Sequence, residues 1–142
     1  VAGRSLCGLI IAAKSMGLNW KFTGVTVNYD VPLGDYIFQH SKDIQELLGL
    51  PITFEENDMQ VLDQYVGEGY GVMTPQVAEA IHIAAQTDAI ICDPNYTGTV
   101  MAALIDQIEE GTFDNDETII FLHTGGLPAI FTFADQLANF KG

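Results

Sequence analysis

Three short runs of β-branched and apolar residues, bounded by glycine or proline turns and separated by stretches of helical period, constrain the fold of this chain most. FTGVTV (22–27) follows a turn at Gly17, AIICD (89–93) ends at Pro94, and TIIFL (118–122) precedes His123-Thr124-Gly125-Gly126. Such runs read as strands, and near-continuous apolarity is what a parallel sheet needs when helices cover both of its faces. Helices are expected over about Leu6 to Ser15 and near Ser41 to Leu48, where Ile44, Leu47 and Leu48 share a face and Gly49 is the stop. The second follows a loop, NYDVPLGDY (28–36), rich in Asp, Pro and Gly. Thr74-Pro75 is a helix start, a capping hydroxyl followed by proline at the first helical position, and Val77, Ala78, Ile81, Ala84 and Ala85 recur behind it to about Gln86. Val100, Met101, Leu104, Ile105 and Ile108 mark a further helix that ends at Gly111, and a last helix runs to about Phe140. The expected class is α/β, a parallel sheet with helices on both faces.

The 142 residues are the size of one ordinary domain and carry a formal charge of −14. That charge repels a phosphate backbone or an anionic bilayer surface, which argues against nucleic acid and membrane as partners. LCGLIIAA, the longest apolar stretch near the start, is far shorter than the roughly 20 residues of a membrane span. A cytoplasmic protein is expected. Cys7 and Cys92 each sit in an apolar run without CxxC spacing, so both read as buried free thiols in a reducing compartment. Because the chain opens on Val1, directly into a glycine-containing turn, a segment upstream of it is expected as well.

Three local features have the residue types for chemistry. Gly67-Glu68-Gly69-Tyr70-Gly71 is a turn that lets the backbone approach a ligand and presents Tyr70; taken by itself it also reads as a surface turn whose tyrosine packs on the core. Asp93-Pro94-Asn95-Tyr96-Thr97-Gly98 lies between an expected strand and a helix, where α/β sheets bind ligands, and offers a phenol and a hydroxyl. Asp93 itself reads as an Asx turn or capping group. His123-Thr124-Gly125-Gly126 lies at a similar junction, where free backbone N–H groups and the helix dipole favour an anion or a cofactor edge. His123 reads as structural, since no Ser or Cys nucleophile is spaced with it. His40 and His82 belong to no HxxxH or CxxC grouping, and no metal site is expected.

In order, GEGYGVMT, DPNYTGTVMAALI and FLHTGGLPAIF resemble the C-terminal signature of the family of D-cysteine desulfhydrases and aminocyclopropane-carboxylate deaminases, over positions 66 to 135. Upstream, VAGRSLCGL is similar to that family's glycine-rich phosphate loop, with Gly3, Gly8 and Leu9 in agreement, Ser5 a conservative stand-in and Arg4 replacing a glycine. Asn95 for valine and Thr99 for lysine are further departures. The resemblance implies a fold-type II, tryptophan synthase β-like enzyme dependent on pyridoxal 5'-phosphate. Residues 1–142 would then be the C-terminal part of its large domain, with the N-terminal half missing.

The same resemblance implies roles. Tyr70 and Tyr96 would be catalytic, facing the substrate; Gly3, Arg4 and Ser5 would hold the phosphate; Thr97 would lie beside the cofactor, and Thr124, with Gly125, at the pyridine nitrogen. A hydroxyl at that nitrogen limits the electron sink and suits β-elimination. Family deaminases carry glutamate after the tyrosine and leucine after the histidine, so Thr97 and Thr124 imply the desulfhydrase branch, acting on a small amino acid. The lysine that holds the cofactor covalently is expected outside the chain, whose lysines are Lys14, Lys21, Lys42 and Lys141. The fragment by itself is expected to be inactive and to expose an apolar face, and the full-length protein to be a homodimer. The alternatives are an aminocyclopropane-carboxylate deaminase and a non-catalytic binding or interaction remnant.

Overall fold

A computed structural model of the chain describes residues 3–28 and 32–141. Residues 29–31 of the expected loop, and Val1 and Ala2 of the glycine-rich segment, lie outside the described residues. The chain forms two compact units, Val1–Gln64 and Tyr65–Gly142.

In the first unit, α1 (Arg4–Ser15) is followed by β1 (Thr23–Val25), α2 (Leu33–Leu48), a short 3-10 turn (Glu56–Asp58) and β2 (Gln60–Leu62). β1 and β2 pair in parallel with Gly24 opposite Val61, as expected of strands joined through a crossover helix. Cys7 and Ile10 of α1 meet Leu33 and Ile37 of α2 and Phe54 in a buried cluster. Lys14 closes α1 onto the 3-10 turn through an ion pair with Asp58 at 2.5 Å. The helix expected from Ser41 begins at Leu33 instead, because Leu33, Ile37 and Ser41 form a buried stripe at four-residue spacing that extends back past the glycine and aspartate of its first turn.

In the second unit, α3 (Pro75–Asp88) packs on α4 (Thr97–Glu109), and a 3-10 segment (Leu127–Phe133) leads into α5 (Ala134–Asn139). The Thr74 side chain accepts a hydrogen bond from the Val77 N–H at 3.2 Å, so the predicted cap forms. Val77, Ala80, Ile81 and Ala84 of α3 bury against Cys92, Met101 and Ala102. Gly98 permits that approach: a β-carbon there would stand 2.7 Å from the Asp93 carbonyl oxygen and 3.0 Å from Ile81.

The α/β class holds, but the parallel sheet among the described residues is the β1–β2 pair. The runs at 89–93 and 118–122, expected as strands, join no ladder. Ile90 instead donates its N–H to the Ala84 carbonyl at 3.1 Å, and Ile90, Ile91, Ile119, Ile120 and Leu122 are exposed. The last helix is likewise shorter than expected, its first half being the 3-10 segment with Pro128 near its start. Among the described residues no helix is long and apolar enough to cross a membrane.

Candidate active site

The glycine turn ahead of α3 positions Tyr70. Gly67, Gly69 and Gly71 all have positive φ, and a β-carbon on Gly67 would collide with the Thr74 side chain, so this backbone path requires glycine. The turn holds Tyr70 half exposed, with its hydroxyl 2.8 Å from that of Tyr96. The rings meet edge to face, with centroids 5.8 Å apart. Two phenols that are 26 positions apart in sequence therefore share one hydrogen bond. That bond to Tyr70, followed by burial, pushes the Tyr96 hydroxyl up to about 12.

Asp93 organises the loop that carries Tyr96. It is fully buried. One carboxylate oxygen accepts from the N–H groups of Asn95 and Tyr96, both at 3.0 Å. The other accepts from the Thr97 N–H at 2.9 Å and the Thr97 hydroxyl at 2.8 Å. The Asp93 carbonyl takes the Gly98 N–H at 2.8 Å, so one residue satisfies four consecutive amides where α4 begins. Thr97 is buried, and its hydroxyl in turn accepts from the Asp93 N–H at 2.8 Å. Its single donor proton is committed to Asp93. The capping role read from the sequence for Asp93 is thus present, and it is more extensive than an Asx turn.

The third segment packs against the same aspartate. Gly126 has φ 88°, and a β-carbon there would lie 2.6 Å from an Asp93 carboxylate oxygen. His123 ties the segment down: the Gly125 N–H donates to Nδ1 at 3.3 Å, which leaves Nε2 to donate to the Ile91 carbonyl at 2.9 Å. Both ring nitrogens serve the backbone, the structural role read from the sequence. Thr124 is exposed, and Gly125 has φ 98°.

The remaining candidates lie in the first unit. Gly3 caps α1 with φ 87°, and a β-carbon there would press on Leu33, Tyr36 and Ile37 at 3.0–3.1 Å. Arg4 and Ser5 are exposed in the first turn of α1, with the Arg4 Nε donating to the Tyr36 hydroxyl at 3.2 Å. A helix N-terminus with a glycine cap, a serine and a guanidinium, and no acidic residue in its first turn, has the donor set a phosphate group requires. Lys14 is paired with Asp58, and Lys42 lies over the Phe38 ring at 4.1 Å. Among the described residues no group of three or more His, Cys, Asp or Glu side chains could hold a metal ion.

Sequence reading missed how far Asp93 reaches and that Gly126 abuts it. The signal available was Asp-Pro-x-x-Thr directly ahead of a helical stretch, a spacing at which an aspartate can serve several amides in succession.

Known proteins resemble the chain over most of its length. D-cysteine desulfhydrases of Salmonella newport (strain SL254) and Salmonella agona (strain SL483) are each 42% identical to the chain over 129 residues, which is 89% of the chain. The chain spans 38% of the length of these curated relatives. A crystal structure described as an ACC deaminase homologue superposes with a TM-score of 0.84 at 27% identity, covering 98% of this chain and 41% of that one. Residues 2–125 match the family described as pyridoxal-phosphate dependent enzyme, and the chain belongs to that family.

Proposed function

We propose that residues 1–142 form the C-terminal part of the large domain of a β-eliminating lyase acting on a small amino acid, with D-cysteine as the first candidate. The net reaction takes D-cysteine and water to pyruvate, hydrogen sulfide and ammonia. The observation that carries the reading is the Tyr70–Tyr96 hydroxyl pair at 2.8 Å, built by two of the three family motifs. Bound pyridoxal phosphate supplies the electron sink that makes the α-proton acidic.

This chain's own residues do the rest. Tyr96 keeps its proton, since its bond to Tyr70 and then burial favour the neutral phenol. Either phenol can donate in that bond, and whenever Tyr96 does, the half-exposed Tyr70 O–H is left to serve the substrate's leaving sulfur. Gly3, Arg4 and Ser5 hold the phosphate; Thr124 and Gly125 take the pyridine edge. Thr97 joins the cofactor side through the loop it closes with Asp93. The full-length protein is a cytoplasmic homodimer, and it supplies the lysine that carries the cofactor.

A second reading, ring opening of aminocyclopropane-carboxylate, draws on the structural neighbour described as an ACC deaminase homologue. One experiment separates them. Full-length protein carrying this chain is given D-cysteine or aminocyclopropane-carboxylate, and sulfide and 2-oxo acid are measured. Sulfide with pyruvate is the expected result; 2-oxobutyrate from the cyclopropane substrate in place of sulfide selects the second reading. Tyr70→Phe and Tyr96→Phe should each lower turnover by about 10² with the cofactor still bound. Unchanged turnover in the double variant would leave both tyrosines as packing residues.

A further inference from the structure

We propose that Asp93, to which no chemical step is assigned, is the positioning residue for Tyr96: its buried carboxylate fixes the 95–97 turn and thereby sets the Tyr96 hydroxyl against that of Tyr70. As a statement about geometry this stands on the hydrogen bonds; as a statement about turnover it rests on the function proposed above.

Burying a carboxylate is costly unless its oxygens are well served, and here they accept from three backbone amides and one hydroxyl. Helix capping alone does not call for so many. A single serine, threonine or asparagine oxygen commonly caps a helix, whereas Asp93 uses both carboxylate oxygens and its carbonyl over four successive residues. The arrangement constrains the backbone directly at Tyr96, whose N–H is bound at 3.0 Å and whose φ and ψ, −120° and −73°, are not helical. Residue 96 is thus held in a conformation that the start of α4 by itself does not impose. From the opposite side, Gly126 offers only a hydrogen where a β-carbon would collide with the carboxylate. Asp93 cannot shift that way to relax, and the segment bearing Thr124 and Gly125 is registered against the same group that orients Tyr96.

Thr97 provides the clean probe. Its hydroxyl both donates to the Asp93 carboxylate and accepts from the Asp93 N–H, so Thr97→Val loosens the clasp while the negative charge stays in place. Asp93→Asn leaves the shape almost intact but turns one acceptor into a donor that faces amides.

The test is NMR of the full chain with ¹³Cζ-labelled tyrosine, which gives five tyrosine signals, with Tyr96→Phe as the assignment control. The midpoint of the Tyr96 titration is expected to fall from about 12 toward the ordinary phenol value in Thr97→Val, which keeps the Asp93 charge that itself helps raise Tyr96, and to stay in place in Thr97→Ser. In full-length enzyme Thr97→Val and Asp93→Asn should each lose roughly tenfold in kcat with KM changed by less than about threefold. A Tyr96 titration unmoved by Thr97→Val in a chain that remains folded overturns the proposal. Failure of the functional reading looks different: the Tyr96 signal shifts as expected, but turnover is indifferent even to Tyr96→Phe.

Discussion

At the scale of single residues, Cys7, Cys92, Tyr65 and Tyr96 all have their acid dissociation shifted upward. Burial raises Cys7 and Cys92; burial and then the hydrogen bond to Asp106 raise Tyr65; the bond to Tyr70 and then burial raise Tyr96 to about 12. A group whose folded value lies above its unfolded one stabilises fully below the unfolded value and loses that contribution as pH climbs through the folded one. For Tyr96 the window opens near pH 10 and closes near 12. Urea midpoints should therefore decline across that range, and the decline should be smaller, though still present, in Tyr96→Phe because Tyr65 and the thiols remain. An equal decline in both proteins would show that the hydroxyl pair contributes nothing to the folded state. The tyrosines could be singled out in the sequence because each sits in a motif whose order is specific. Their mutual hydrogen bond could not, since no local pattern states which distant hydroxyl a side chain will meet.

At the scale of elements, legibility follows how local the determinant is. Thr74-Pro75 announced α3 because capping hydroxyl and proline act within one turn, and Thr74→Ala should cost about 1 kcal/mol, measured as a lower urea midpoint with unchanged slope. The start of α2 was hidden by an Asp, Pro and Gly-rich approach that reads as loop, although its buried stripe begins at Leu33. β2, three residues long, is below the length at which alternation can be recognised. The runs at 89–93 and 118–122 show the opposite error. Composition reports that a segment suits a pleated, buried setting, but whether a partner ladder lies beside it is not a property of the segment.

For the whole molecule, Ile91, Ile120, Leu122 and Phe131 of the second unit are at least 45% exposed, a set of large apolar side chains that favours association. A net charge of −14 opposes it through mutual repulsion. The balance should tip with salt: the chain should bind an apolar dye at low ionic strength and associate when about 0.5 M salt shortens the screening length. Light scattering that stays flat through the titration would show that those side chains do not govern its solution behaviour.

The β1–β2 ladder joins Gly24 to Val61, so its first hydrogen bonds must await closure of a loop that contains all of α2. The helices α3 and α4, by contrast, are neighbours in sequence, joined by the short segment from Ala89 to Tyr96. Contacts that close long loops form late, because the entropy is lost before the contact repays it. On a ribosome or in a stopped-flow cell, the helical pair bearing Tyr96 should thus acquire amide protection while β1 is still waiting for the strand that completes it.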